Sequence, residues 1–355
     1  MSEALTRRVA AFLSDPSPDD FDALAAEAFA YQYERIEPFR RLCDERGVRP
    51  GDETSWREVP AVPTTAFQSL KLAAEEPRRV FRSSGTTSAT AGSAEEDRRS
   101  THHHPFPDLY RAAIDASFPA FCLAGFGERP PILSLIPPRD DSSLAFMAGH
   151  VMERFGAPDS ATGFGKKRLD IRASRSWLGA RQRDRRPSLL FTTSFALASL
   201  LDSLEKQFLH FRLAPGSAIF ETGGFKGRTK EVDRAELHRR TEEWLGVAPD
   251  RVVGEYGMTE LTSQLYARTL LGGEADVFVA PHWVRARIVD PQTLEEAPAG
   301  EEGLVSIFDL ANLGSAVHLL TEDLGVAAGD GIRLLGRAAG ADLRGCSLAV
   351  EELTG

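Results

Sequence analysis

Ser83-Ser84-Gly85-Thr86-Thr87-Ser88 sets five hydroxyl side chains around one glycine. Small residues let backbone N–H groups turn inward, and hydroxyls add donors, so such a loop suits a phosphate. No Gly-Lys-Ser/Thr follows, so it is neither a Walker A loop nor a dinucleotide fingerprint. A flexible linker has similar composition, but a linker need not follow a buried strand, and Val80-Phe81 reads as a strand end. A second candidate is Glu255-Tyr256-Gly257-Met258-Thr259-Glu260. A ring, a hydroxyl and a carboxylate at a glycine turn can serve a base, a phosphate and a metal in turn. In the third, Thr321-Glu322-Asp323-Leu324-Gly325 is followed by Gly336-Arg337. The acceptor-only carboxylate of Asp323 suits a ribose diol, although it also suits a turn. His102-His103-His104 is a poor metal site, because adjacent histidines rarely converge and no Cys/His partner has zinc spacing. One of the three is a candidate for the edge of an acyl or phosphate pocket.

These segments need a scaffold that brings them together. Ser188–Thr193, Ser217–Gly224 and Arg251–Gly257 are strand-like, and helical stretches at Leu197–Phe208 and Asp233–Leu245 separate them. That β-α-β-α-β order predicts a parallel sheet with crossover helices. Ligands of such sheets bind beyond the carboxyl ends of the strands. Thr193, Glu221–Gly227 and Gly254–Glu260 all leave those ends. Further helices are expected over Asp20–Glu45, Phe106–Ser117 and Ser142–Phe155, and a short buried strand at Pro131–Pro137. Gly163–Arg186 reads as polar surface elements and loops. Val284–Asp290, Gly303–Asp309 and Ala316–Leu320 predict a smaller, β-rich lobe. The expected organisation is a helical cap and connector (1–75), a ligand-binding α/β core (76–280), and a β-rich lobe with a C-terminal tail (281–355).

Ser83–Thr87 resembles the phosphate-binding signature of the adenylate-forming superfamily, which includes acyl-CoA ligases and luciferases. Glu255–Glu260 is similar to that superfamily's Tyr-Gly-x-Thr-Glu element, and Asp323 with Gly336-Arg337 to its ribose and hinge elements. Pro60–Phe67, Glu221–Arg228 and Glu255–Tyr266 narrow the resemblance to the acyl-protein synthetase family. That family is the fatty-acid-activating component of bacterial bioluminescence fatty-acid reductase.

The resemblance implies the large α/β domain of an adenylate-forming enzyme, with ATP and Mg²⁺ as cofactors. It places Ser83, Ser84, Gly85, Thr86, Thr87, Gly223 and Gly224 around the nucleotide, with Thr86 in a catalytic role. Tyr256 and Gly257 would lie at the adenine, Thr259 at a phosphate, Asp323 at the ribose and Arg337 at the hinge. Glu260 would be catalytic and hold Mg²⁺. A reactive cysteine is implied near the C-terminus, and Cys346 occupies that region. A thiolate is a strong nucleophile, Arg344 would lower its pKa, and Gly345 frees the backbone.

Two departures stand out. The superfamily's phosphate loop continues to a lysine that Ser88–Ser93 lacks. The small C-terminal domain with its catalytic lysine is expected to be absent: 18 residues follow Arg337, and no lysine follows Lys230. Lys226, Arg228 or Mg²⁺ is then expected to supply positive charge.

The expected activity is acyl-AMP formation from a carboxylic acid, with a fatty acid favoured, followed by transfer to a protein thiol for an acyl reductase partner. The alternatives are an acyl- or aryl-CoA or carrier-protein ligase, and a nucleotide-binding subunit of reduced catalysis. Phe191, Phe195, Phe220 and Phe225 are candidates for the acyl pocket. The formal charge of -10 gives no support to a nucleic-acid partner. Three scattered cysteines without a CxxC pair suit a reducing compartment. No signal peptide or membrane span is read, so a cytoplasmic protein without stable membrane association is expected, and an oligomer is compatible with all of this.

Overall fold

A computed structural model describes residues 2–52, 55–83, 99–165, 168–223, 233–338 and 352–353. Helix formation begins earlier than expected. α1 (Ser2–Ser14) precedes α2 (Phe21–Arg35), and α3 (Glu37–Glu45) follows after a break at Ile36. The Asp20 carboxylate caps α2 by accepting from the Ala23 N–H. Pro38, at the start of α3, cannot continue the α2 hydrogen-bond ladder, so the single expected helix is two. After the short strand β1 (Val62–Pro63), β2 (Arg79–Arg82) and β3 (Thr101–His104) form an antiparallel ribbon, with Phe81 opposite His102.

The central part alternates as α4 (Pro107–Cys122), β4 (Ile132–Ser134), α5 (Ser143–Phe155), β5 (Ala161–Thr162), α6 (Ile171–Asp184), β6 (Leu189–Thr193), α7 (Ser194–Glu205), β7 (Ala218–Thr222), α8 (Arg234–Leu245) and β8 (Val252–Tyr256). α6 corrects the loop reading of Gly163–Arg186. Its buried face, Ser174, Trp177, Leu178 and Arg181, has helical spacing, but the surrounding arginines mask it in a hydropathy reading. β9 (Leu265–Ala267), β10 (Val277–Val279), β11 (Val284–Val289), β12 (Gly303–Asp309), β13 (His318–Ala328) and β14 (Gly331–Arg337) complete the chain. β13 runs well past the expected Leu320 and pairs with β14, a strand not expected at all.

Among the described residues, β5, β4, β6, β7 and β8 are parallel, and β9, β10, β14, β13, β12 and β11 continue the same sheet antiparallel. β1 joins β13 in parallel. The central parallel strands β4, β6, β7 and β8 are buried on both faces, which explains the apolar runs with which β6 and β7 begin. One hydrophobic cluster runs from Leu5, Phe29 and Phe39 of the N-terminal helices to Phe308 and Leu319 of β12 and β13.

His318 ties the connector to that region. Its Nδ1–H donates to the Val59 carbonyl at 2.6 Å, and its Nε2 accepts from the Ser306 hydroxyl at 2.8 Å. Burial lowers its pKa to about 3. An unfolded imidazole takes up a proton near pH ~6.5, so stability is lost as pH falls from there toward the folded value. His102 and His104 act in the same direction, His102 with a pKa lowered by burial to about 4. Asp309 opposes them, because burial raises its pKa to about 6, and its contribution is lost as pH rises through that value. Three histidines act one way and one carboxyl the other, so between the unfolded imidazole value and about pH 5 the unfolded chain binds more protons from these groups than the folded one. We expect the melting temperature to fall steadily between about pH 7 and pH 5. His318→Asn retains a donor toward Val59 and should flatten that slope by about one proton. A slope unchanged in this variant would remove His318 from the acid response.

Candidate active site

The site is built on the carboxyl ends of β6, β7 and β8. The Thr193 hydroxyl caps α7 by accepting from the Ala196 N–H, which starts that helix three residues before the expected Leu197. The adjacent Ser194 hydroxyl donates to the Gly223 carbonyl. Gly223 has φ +71°, a left-handed conformation that a glycine adopts without strain as the chain leaves β7. Beside it, the Thr222 hydroxyl donates to the Glu255 carboxylate on β8. At Gly257 a Cβ would crowd the Glu255 carboxylate, which would have to shift to admit it.

Glu221, one residue earlier on β7, faces α8. Burial alone would raise its pKa, but the bond from His238 Nε2 (2.8 Å) and the Arg234 guanidinium (3.6 Å) outweigh burial and hold it below the usual range. This buried, satisfied cluster anchors α8 against β7.

Tyr256, Asp323 and Arg337 meet at one junction. The Tyr256 hydroxyl donates to Asp323 Oδ2 at 2.8 Å, and Arg337 Nε lies 3.6 Å from Asp323 Oδ1. Register explains the second contact, since Asp323 on β13 stands directly opposite Arg337 on β14. Burial and the neighbouring Asp323 carboxylate push the Tyr256 phenol well above its ordinary pKa, so it stays protonated and donates. Arg337 is largely exposed and also lies 3.7 Å from the Glu322 carboxylate through Nη1, which leaves its other donors facing solvent.

Thr259 and Glu260 occupy the turn after β8. Two consecutive carbonyls of that turn are held by side chains from elsewhere in the chain. His102 Nδ1 donates to the Thr259 carbonyl at 2.8 Å, and Asn312 Nδ2 donates to the Glu260 carbonyl at 3.0 Å. Asp309 fixes Thr262 and Ser263, accepting from their N–H groups at 3.2 and 2.8 Å. Ser83, the first residue of the phosphate signature, accepts from Arg99 Nε at its carbonyl (2.6 Å) and from the Ser100 N–H at its hydroxyl (3.1 Å). Both flanks of the signature segment are therefore pinned together, two residues before His102. Ser84, Gly85, Thr86, Thr87, Gly224, Lys226 and Cys346 lie outside the described residues, as do Phe225 and Arg228.

Two expectations for the acyl pocket are corrected. Phe191 and Phe220 are fully buried, stacked at 4.1 Å between ring centroids, and packed on Phe118. They belong to the core under the sheet. Phe195, at the start of α7, is 45% exposed beside Ser194 and stays a candidate. Asn312 and Asp309 were not singled out from the sequence, because a polar residue in a β-rich segment gives no sign that it will be buried. The reach of His102 and His104 to the turn after β8 had one available signal: alternate residues of a strand face the same side.

The profile of the acyl-protein synthetase family, LuxE, matches residues 183–354. Long-chain-fatty-acid–luciferin-component ligases from Aliivibrio fischeri and Vibrio harveyi are each 23% identical to the chain. The first alignment covers 86% of this chain and 78% of the relative, and the second 93% and 86%. The chain is an adenylate-forming enzyme related to the LuxE acyl-protein synthetases. Its fold agrees. A crystal structure of an open conformation of 2-hydroxyisobutyryl-CoA ligase with 2-HIB-AMP and CoA superposes with a TM-score of 0.65 at 17% identity. That superposition covers 89% of this chain and 69% of the other. A postadenylation-state structure of that ligase gives 0.66 at 17% identity, covering 89% and 67%.

Asp323→Ala removes the acceptors at this junction and leaves the buried Tyr256 hydroxyl without its partner. We expect ATP affinity to fall about tenfold or more, as for loss of a charged hydrogen-bonding group. Tyr256→Phe removes one donor and should cost less, about threefold to tenfold. Titration calorimetry with ATP checks both, and an unchanged affinity in Asp323→Ala would remove Asp323 from the nucleotide site.

Proposed function

We propose that this chain uses ATP to activate an apolar carboxylic acid as an acyl-adenylate and then transfers the acyl group to a thiol. The observation that carries this reading is the meeting of Tyr256, Asp323 and Arg337 at one junction, close to the turn bearing Thr259 and Glu260. In this reading the substrate carboxylate attacks the α-phosphorus of ATP. The bond from the α-phosphorus to the bridging oxygen breaks, and pyrophosphate leaves. Thiolate attack on the acyl carbonyl then releases AMP.

Asp323 accepts from the ribose hydroxyls, and Tyr256 holds Asp323 in place while its ring borders the base. Thr259 contributes a phosphate donor. The donor set also suits Mg²⁺, which is commonly held by one or two carboxylates together with substrate phosphates. Glu260 is buried in the turn beside Thr259, and among the described residues no group of three His, Cys, Asp or Glu forms a closed protein cage. Glu260 would hold the ion, whose charge neutralises the phosphates.

The related luciferin-component ligases support a long-chain fatty acid as substrate. For the acceptor we propose Cys346 on this chain, with an acyl reductase as the partner that receives the group. Cys346 follows Ala338 by eight residues, a chain length that spans at most about 28 Å. Ala338 itself is bonded to the Glu322 carbonyl, next to Asp323. The other two cysteines are poor acceptors, because burial raises the thiol pKa of Cys43 and of Cys122. A second reading takes coenzyme A as the thiol, and the CoA-bound ligase that shares this fold favours it. No helix among the described residues is long and apolar enough to cross a membrane.

Pyrophosphate release measured over a panel of acids tests the first step. Medium- or long-chain fatty acids should give the highest rate, and a preference for a small charged acid would contradict the substrate class. Incubation with labelled fatty acid and Mg²⁺-ATP, followed by peptide mapping, tests the second. Hydroxylamine-labile label on Cys346 is expected. Undiminished labelling of a Cys346→Ser variant would exclude that cysteine, and acyl-CoA as the sole product would establish the second reading.

A further inference from the structure

We propose that His102 and His104 are positioning residues which, as neutral imidazoles of opposite tautomer, tether the Thr259–Glu260 turn to the strand leaving the phosphate-signature segment. The inference rests on the proposed function only for its catalytic consequence. The tether itself follows from hydrogen-bond bookkeeping.

His102 and His104 are alternate residues of β3 and point the same way, 1% and 3% exposed. His102 Nδ1 faces the Thr259 carbonyl, which can only accept, so the proton is on Nδ1. His104 is fixed by a longer chain of partners. Asn312 Nδ2 donates to two carbonyls, those of Glu260 (3.0 Å) and Ala316 (2.7 Å), which orients the amide. The amide oxygen therefore receives the only proton of the Thr262 hydroxyl, at 2.7 Å. That hydroxyl has a lone pair left for His104 Nε2 at 3.0 Å, so His104 carries its proton on Nε2. The remaining nitrogens, His102 Nε2 and His104 Nδ1, are buried without a partner. The assignment makes both of them bare acceptors, and neither imidazole buries an unpaired N–H. The opposite tautomers would bury unpaired N–H groups and turn lone pairs toward the Thr259 carbonyl and the Thr262 oxygen, which is the costlier arrangement.

The mechanical result is specific. β3 begins directly after Arg99 and Ser100, which pin Ser83, the first residue of the phosphate signature. From the same strand, two imidazoles reach Thr259 and, through Thr262 and Asn312, Glu260. Ser83, where the first motif begins, and the turn bearing Thr259 and Glu260 are thereby tied to one strand, and neither histidine needs to touch substrate.

The tautomers make a crossed prediction. The amide nitrogen of Asn lies near the position of imidazole Nδ1, and that of Gln near Nε2. His102→Asn and His104→Gln should keep the KM for ATP in pyrophosphate exchange within about threefold. His102→Gln and His104→Asn should raise it about tenfold, the usual scale for one lost buried hydrogen bond. Packing alone predicts no crossing, because Gln is nearer to His in size and would be preferred at both positions. Nitrogen-15 histidine spectra give a readout independent of activity. They should show one buried imidazole protonated on Nδ1 and one on Nε2 among those coupled to this turn, with the Nδ1 form lost in His102→Asn. His102 protonated on Nε2, or Gln preferred over Asn at position 102, would overturn the proposal. The stated tautomers in a protein without acid-dependent pyrophosphate exchange would instead overturn the proposed function and leave the tether standing.

Discussion

The hydrogen bond from Tyr256 to Asp323 joins the last parallel strand to the β13–β14 hairpin, and the geometry of the site depends on it. Parallel strands gather loops at one end, but they do not by themselves supply a carboxylate where the chain has turned antiparallel. That requires β9 and β10 to carry the sheet around until β14, and then β13, lies within reach. The junction closes with a buried phenol as donor and a carboxylate as acceptor. The third member, Arg337, is set by strand register.

Behind this junction lies a network whose polar groups are costly to bury and are therefore satisfied. Asp309 is fully buried, yet it accepts from the N–H groups of Thr262, Ser263 and Ala311 and from the Ser263 hydroxyl. The Ser263 hydroxyl in turn accepts from Trp283 Nε1 at 2.8 Å. Desolvation still dominates, which is why burial raises the Asp309 pKa despite four bonds. Such a network contributes less to net stability than to uniqueness, because a displaced turn would leave several buried donors unpaired. The turn carrying Thr259 and Glu260 is thus over-determined from β3, from the segment after β12 and from β12 itself.

Much of this was legible in the residues. The apolar runs of β6, β7 and β8 and the helices between them announced a parallel sheet, and the loops at their carboxyl ends pointed to the candidate site. Tyr256, Asp323 and Arg337 were legible as a set only through resemblance, since a lone Asp in a Gly-flanked segment reads equally well as a turn. Other features were hidden for physical reasons. β14 follows a two-residue turn at Gly329 and begins with a glycine, so it lacks an apolar run. α6 buries an arginine, Arg181, alongside Trp177 and Leu178. Phe191 and Phe220 look identical to ligand-facing aromatics until the sheet shows which face they occupy. The buried roles of Asn312 and Asp309 depend on contacts made across the chain, and no local pattern encodes them.

Photo-crosslinking with 8-azido-ATP, followed by mapping of the labelled peptide, tests most directly whether the β8–β13 junction is the nucleotide site. The account predicts label in the peptide containing Tyr256–Glu260 or in β13 and β14, suppressed by excess ATP. ATP-protected label confined to the connector or to α5 and α6 would contradict it.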